Sequence, residues 1–263
     1  MPIATHVLID GWRRVSPRFV FRGYDDDVQG PFVRPFLDED GMLPGRFAAL
    51  LVEAPEGPLL VDAGLGRFAG DHDAGHLLDE LAALGVRSTD IRTVVITHGH
   101  PDHVGGLTTT AGDPVFADAR HVLHAAEAAW WRSDAANGLP GDAGAPARAA
   151  LDALDATGLL DTIDGDAAVA RGVRAVAAPG HTPGHLAVAI EGALLWTGDA
   201  IVAPLNVTHP HWVSAADMDP GGSEATRRSL LARAADEGLV VAGAHLPVQL
   251  HVRRDGNGFA ADT

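Results

Sequence analysis

The sequence contains no cysteine and no lysine. Without cysteine there are no disulfides, no thiolate metal ligands and no cysteine nucleophile. Without lysine there is no Schiff-base chemistry on a lysine amine. Arginine supplies all 19 basic side chains against 35 acidic ones, and the formal net charge is −16. A surface that acidic repels phosphate backbones, so no nucleic acid is expected as a partner. Solubility is reason enough for such a charge excess. No apolar run approaches the length that crosses a bilayer, so no membrane partner is expected either. The opening MPIATHVLIDGWRR lacks the basic-then-apolar order of a signal peptide, and a cytoplasmic protein is the expectation. Neither an internal repeat nor a long disordered linker is visible.

What the chain does contain is an ordinary share of apolar residues, 46% of 263. That is enough for one large α/β domain or two small ones. Phe47–Val52 reads as a strand, turned at Pro55-Glu56-Gly57 into Leu59–Val61 as a hairpin. Leu77–Leu84 has helical spacing and stops at Gly85. Val94–Thr97 and His121–Leu123 read as short strands, the second followed by a helix from Ala125 to Trp131. Asn137–Pro146 reads as a loop and Arg148–Leu154 as a helix. Val173–Ala177 reads as a strand, and Leu186–Ile190 and Ala193–Trp196 as a hairpin about Glu191-Gly192. Ser223–Ala235 reads as a helix and Leu239–Ala242 as the last strand. Hairpins in both halves with helices between them predict two mixed sheets covered by helices, not a doubly wound parallel sheet.

Chemistry is concentrated at THGHPDHVGG, residues 97–106, directly after the apolar run Thr93–Ile96. His98 and His100 are two apart, so on extended backbone their side chains point the same way. Pro101 breaks the strand, and Asp102 and His103 open the next turn from another direction. The pattern suits two neighbouring metal ions, and imidazole and carboxylate are the ligands zinc accepts when thiolate is absent. Further candidates also stand just after apolar strands, close to glycines: His181 in APGH, Asp199 in WTGD and His245 in VAGAH.

HGHPDH, preceded by VDAG at 61–64 and followed by PGHTPGH at 179–185, TGD at 197–199 and AHLP at 244–247, resembles the motif series of the metallo-β-lactamase superfamily. The resemblance implies an α/β fold, an αββα sandwich of two mixed β-sheets flanked by helices, forming a single domain over residues 1–263 with the site at one edge. It implies that His98, His100 and His181 hold one metal, that Asp102, His103 and His245 hold the other, and that Asp199 bridges both. Asp62 would orient the ligand loops without binding metal, as outer carboxylates do. The implied cofactors are two divalent metal ions, Zn2+ by ligand type. The implied activity is that of a metal-dependent hydrolase, in which a metal-bridging hydroxide attacks a small ester, lactone or phosphotriester. Asp102 would orient the nucleophile and carry a proton to the leaving group.

The branch is narrowed by departures. β-Lactamases of this family generally lack an aspartate at the position matching Asp199, and one large subclass uses cysteine there. A single tyrosine, Tyr24, and no basic C-terminal patch argue against a glyoxalase II-like enzyme. The lactonase and methyl-parathion-hydrolase-like branch remains, yet members that open acyl-homoserine lactones place a tyrosine where this chain has Val202. Two alternatives stay open: a mononuclear iron thiol-oxidising dioxygenase of the same fold, and a β-lactamase-type amide hydrolase. The expected partner is a small-molecule substrate, with a homodimer left open.

Other histidines are expected in plainer roles. His185 is expected to be structural, His121 and His124 to pack in a strand and helix, and His72 and His76 to lie on the surface. His209 and His211, in VAPLNVTHPHW after Asp199, are candidates for substrate contacts on a loop. The segment from Phe19 to Phe36, with Phe21, Tyr24 and Phe32, is a candidate cover for the site, and Trp130, Trp131 and Trp212 are candidates for an apolar wall.

Overall fold

In β2, Leu43–Ala54, the residues from Phe47 to Val52 are all buried, because the strand has a core on each side. Ala48, Leu50 and Val52 point to one core, while Ala49 and Leu51 point to another, the two-residue alternation of extended backbone. β9, Leu186–Ile190, divides in the same way: Leu186, Val188 and Ile190 join the first core, and Ala187 and Ala189 face a third. Two strands with both faces apolar require two sheets stacked on each other and covered on the outside. A computed structural model, describing residues 3–70, 72–139 and 142–263, has that arrangement.

The first sheet runs β1 (Thr5–Val15), β2, β3 (Gly57–Val61), β4 (Thr93–Val95), β5 (Arg120–His124) and β6 (Leu160–Ile163) in spatial order. β1 to β3 pair antiparallel, and β3 to β6 parallel. The second sheet has the order β13 (Gly258–Asp262), β12 (Leu250–Asp255), β11 (Val240–Ala242), β10 (Leu194–Trp196), β9, β8 (Val173–Ala177) and β7 (Ala167–Ala170). Only β10 and β11 are parallel in it. Helices Leu77–Ala83, Ala125–Trp131 and Ala145–Thr157 cover the outer face of the first sheet, and Pro220–Glu237 covers that of the second. This is the expected αββα sandwich.

The sequence reading misses β1, β6, β7, β12 and β13. Leu239–Ala242 is therefore not the last strand, because β12 and the edge strand β13 follow it. The loop read over Asn137–Pro146 instead contains the end of a short helix, Asp134–Asn137, and the start of the helix Ala145–Thr157; Pro140 and Gly141 lie outside the described residues. The region from Phe19 to Phe36 folds into short helices, Pro17–Val20 and Gly30–Val33. There Val20, Phe21, Tyr24 and Val33 pack with Trp212 into a separate apolar cluster. Among the described residues no helix is long and apolar enough to cross a membrane.

Candidate metal centre

The loops that follow β3, β4, β8, β10 and β11 meet at one edge of the sandwich. β4 stops at Val95, and the chain stays extended to His100 (φ −67°, ψ 152°) before Pro101 starts the single-turn helix Pro101–Val104. That turn redirects Asp102 and His103. Seven side chains converge as two groups: His98, His100, His181 and Asp199, then Asp102, His103 and His245. Within each, one potential ligand atom per residue lies within 4.8 Å of all the others. Asp199 touches both groups. Its Oδ2 is 3.5 Å from His181 Nε2 and 3.1 Å from His245 Nε2, and its Oδ1 is 3.3 Å from His103 Nε2.

Proton accounting decides whether a cation fits. Thr97 Oγ1 lies within 2.9 Å of both Asp62 carboxylate oxygens, so it donates to that carboxylate and accepts from His98 Nδ1 at 3.1 Å. His181 Nδ1 donates to Asp217 at 2.8 Å. The Nε2 atoms of His98 and His181 are then bare lone pairs, yet both face His100 Nδ1, at 2.9 and 3.0 Å. One ring nitrogen carries at most one proton and cannot serve both. On the other side His103 Nδ1 donates to Asp62 at 2.8 Å and His245 Nδ1 to the Arg46 carbonyl at 2.7 Å. Their Nε2 atoms therefore face carboxylates, and His103 Nε2 and Asp199 Oδ1 are buried without hydrogen-bond partners. Lone pairs converging in a buried place call for cations, and the residues present fit them.

Electrostatics differ between the groups. Burial pushes His98 well below the ordinary imidazole range and His100 down to about 3. Burial would do the same to His103, but the Asp62, Asp199 and Asp102 carboxylates hold it well above. His245 is likewise raised against burial, chiefly by Asp199. Burial opposes ionisation of Asp102 and Asp199, yet the His103 and His245 rings keep both carboxyls below the usual range.

Asp62 lies against Thr97 and His103. It sits at φ 65°, a left-handed conformation rare outside glycine but tolerated by aspartate. From there its Oδ1 accepts the Thr97 backbone N–H at 2.7 Å. Three supporting residues escape the sequence reading. Asp217 backs His181 and is itself held by the Ser214 N–H. Arg227, wholly buried, donates to the carbonyls of Ala200, Pro210 and Trp212 and lies 3.7 Å from Asp217. Glu127, also wholly buried, accepts from the N–H of Gly99 (2.9 Å), the N–H of Gly184 (2.9 Å) and Trp131 Nε1 (2.6 Å). It ties the His98–His100 loop to the His181 loop. The one visible signal for it is the i, i+4 spacing of Glu127 and Trp131 in HAAEAAWW.

The remaining candidates fall as follows. His185 is buried behind the centre and accepts the Asp199 N–H at 3.1 Å, a structural role. His121 is buried in β5, and His124 caps the following helix by accepting the Ala126 N–H. His72 and His76 are exposed. Beside the centre lies a cavity of about 1280 Å³, with His100, Asp102, His181, Asp199 and His245 on its wall. Phe19, Val20, Phe21 and Phe36 line it, so the segment 19–36 does border the site. Val202, Leu205 and Thr208 also line it, but His209 and His211 do not. His209 instead stacks on Trp212, ring centres 3.9 Å apart, and His211 is exposed. The expectation that both touch substrate is not met by this geometry, because the short helix Leu205–Thr208 turns the chain away before it reaches them. The three tryptophans also stay off the cavity wall, Trp131 being packed behind His100 and Gly99.

Residues 47–245 match the family model described as the metallo-beta-lactamase superfamily. The chain belongs to the metallo-β-lactamase superfamily. Within it, the chain is 33% identical over 181 residues to a probable metallo-hydrolase of Mycobacterium tuberculosis, covering 57% of this chain and 55% of that protein. It thus spans about half the length of that relative. It is 28% identical over 186 residues to an N-acyl homoserine lactonase of Bacillus thuringiensis, covering 60% and 67%. Among superfamily structures, AidC, a dizinc quorum-quenching lactonase solved with a product, superposes with a TM-score of 0.84 at 25% identity over 99% of this chain and 94% of that one. The lactonase-like branch is consistent with these neighbours.

Proposed function

We propose that the chain is a hydrolase dependent on two divalent metal ions, zinc by ligand type, acting on a small ester or lactone with an apolar body. The observation that carries this reading is the shared wall: the seven-residue centre opens on a cavity whose other surfaces are mainly apolar. His98, His100 and His181 would hold one ion, Asp102, His103 and His245 the other, with Asp199 between them. When bound, such a pair supplies Lewis acidity and lowers the pKa of water to about 7, which makes a nucleophile available without serine or cysteine.

The chain's own residues do the rest. Asp102 lines the cavity and accepts a hydrogen bond from the attacking water; its carboxylate then carries a proton to the leaving alkoxide. Phe19, Phe21 and Phe36 exclude bulk water and hold the apolar part of the substrate, which strengthens every polar contact at the centre. A phosphotriester satisfies the same requirements and stays within the proposal. The dizinc lactonase neighbour supports two ions, and Val202, without a hydroxyl, speaks for esters beyond the acyl-homoserine lactones. The test is a screen of metal-replete protein against lactones, aryl esters, phosphotriesters and β-lactams, with elemental analysis. Two ions per chain and fastest turnover of an ester or lactone are expected. One iron per chain with thiol oxidation, or a β-lactam cleaved fastest, would overturn the reading.

A further inference from the structure

In a chain this acidic, arginines find acids. Among the described residues, thirteen of the 19 arginines lie within ion-pair distance of a carboxylate. Arg13, on the cavity wall with Asp102 and His245, has none among the described residues. Its Nε is buried without a hydrogen-bond partner, and its guanidinium carbon sits 5.0 Å from the centre of the Phe47 ring. Arg22 also lines the cavity, but its Nε and Nη2 N–H groups are already given to the carbonyls of Ser214, Ala215 and Asp217. Arg13, by contrast, keeps its Nε donor unpaired.

The local backbone is built to hold that side chain in place. Arg13 of β1 pairs with Gly45 of β2, and a Cβ at Gly45 would come within 3.1 Å of Arg13 Cγ. Glycine there lets the arginine stem lie across the strand pair. Arg46, the next residue, is turned away from the cavity wall and gives Nη2 to the Gly243 carbonyl at 3.4 Å. A partly desolvated, unpaired cation is costly unless something completes it. An unpaired guanidinium on the wall makes this end of the cavity favour negative charge.

We propose that Arg13 recognises a carboxylate on the substrate, distinct from the bond that is cleaved. The substrate is then an amphiphile: an apolar body in the cavity, an ester or lactone at the centre, and one anionic end at Arg13. A single planar fork offering parallel N–H donors matches a singly charged carboxylate better than a dianionic phosphate, which would draw on more cations. This rests on the hydrolase reading for the cleaved bond, but not for the anion itself.

The test has two arms. Mono-4-nitrophenyl esters of dicarboxylic acids, from succinate to suberate, are compared with neutral 4-nitrophenyl esters of matching length, using metal-replete wild type, Arg13→Gln, Arg13→Lys and Gly45→Ala. Binding of glutarate and of inorganic phosphate is measured on the same proteins by calorimetry. At one chain length the charged ester should exceed its neutral match in kcat/KM. Arg13→Gln should shrink that ratio by about tenfold to a hundredfold, the worth of one charged hydrogen-bonding contact, mainly through KM. Arg13→Lys should restore part of the ratio, and Gly45→Ala, which displaces the arginine but keeps its charge, should lower it by less than Arg13→Gln does. Glutarate affinity should fall with Arg13→Gln and phosphate affinity should change less. Equal preference for neutral esters in wild type and variant, or glutarate affinity that ignores Arg13, overturns the proposal. Arg13-dependent glutarate binding without turnover of any ester would keep the anion site and sink the hydrolase reading.

Discussion

His181 and His103 stand on opposite sides of Asp199, and each gives its Nδ1 proton to a buried carboxylate at 2.8 Å. The carboxylates are held differently. Asp217, behind His181, sits in the loop before the helix Pro220–Glu237 and has Arg227 3.7 Å away to share its charge. Asp62, behind His103, sits at the end of β3 and is held by the Thr97 hydroxyl and N–H, with no arginine beside it. Its field therefore falls on His103, whose pKa rises well above the ordinary value despite complete burial. The first group is thus braced by several devices, Glu127 and Asp217 among them. The second leans on Asp62 and one backbone carbonyl. Asp62 also serves the first group, through Thr97 and His98, so the bracing is unequal.

The most damaging way to test this contrast is to remove what the groups share. Asp199→Ala should lower ion content below two per chain and cut ester turnover by about a thousandfold, the upper range for losing one charge-stabilising group. Elemental analysis and steady-state kinetics check it; retention of both ions and of turnover would show that Asp199 does not bridge. Next come the outer carboxylates. Glu127→Gln and Asp217→Asn should each weaken one of the two metal-binding steps by about tenfold to a hundredfold and leave the other step in place, whereas Asp62→Asn should weaken both. Cobalt titration followed by absorbance resolves the steps. If Glu127→Gln shifted both steps equally, the two groups would not be independently held.

How much of this was visible in the sequence follows the same physical line. Five of the seven converging residues stand shortly after an apolar strand, and Asp102 and His103 follow in the turn that Pro101 opens, so local pattern was enough to find them. Asp217, Glu127, Arg227 and Arg13 act through partners far away in the chain, and a lone charged residue reads the same whether it faces water or a buried N–H. Strands β2 and β9 were legible because both their faces are apolar, and β8 because its Val173 and Ala175 face is buried between turn signals. β1 was not, since the register shift between Ile9 and Gly11 breaks its alternation. β12, LHVRRD, has only two buried side chains and ends in three polar residues, and the edge strand β13, GFAAD, is short and has one large apolar side chain, so neither carries a clear signal.

A smaller effect separates scaffold from centre. His121 is fully buried, and burial depresses its pKa from 6.5 to about 4. A depressed imidazole is neutral in the fold and charged when unfolded, so the unfolded chain binds the extra proton. Stability is then intact above pH 6.5, falls as pH drops toward 4, and levels off below that. The loss attributable to this residue is about 3 kcal/mol. Replacing it with leucine should flatten that part of the pH dependence of denaturant unfolding, and an unchanged slope would remove His121 from the account. The least effect is expected from His209→Ala and His211→Ala. Neither ring reaches the cavity wall, so ion content should hold and substrate ranking should move within about twofold. Loss of an ion on either change would make that histidine a ligand.

The left-handed backbone at Asp62 restricts this position from two sides at once. Hydrogen bonding to Thr97 and His103 asks for a carboxylate of one length, and φ 65° admits few residues other than glycine, asparagine and aspartate. Glutamate has the charge without the backbone tolerance; asparagine and glycine have the tolerance without the charge. A single-base change at this codon that alters the amino acid therefore gives up either the turn or the anion.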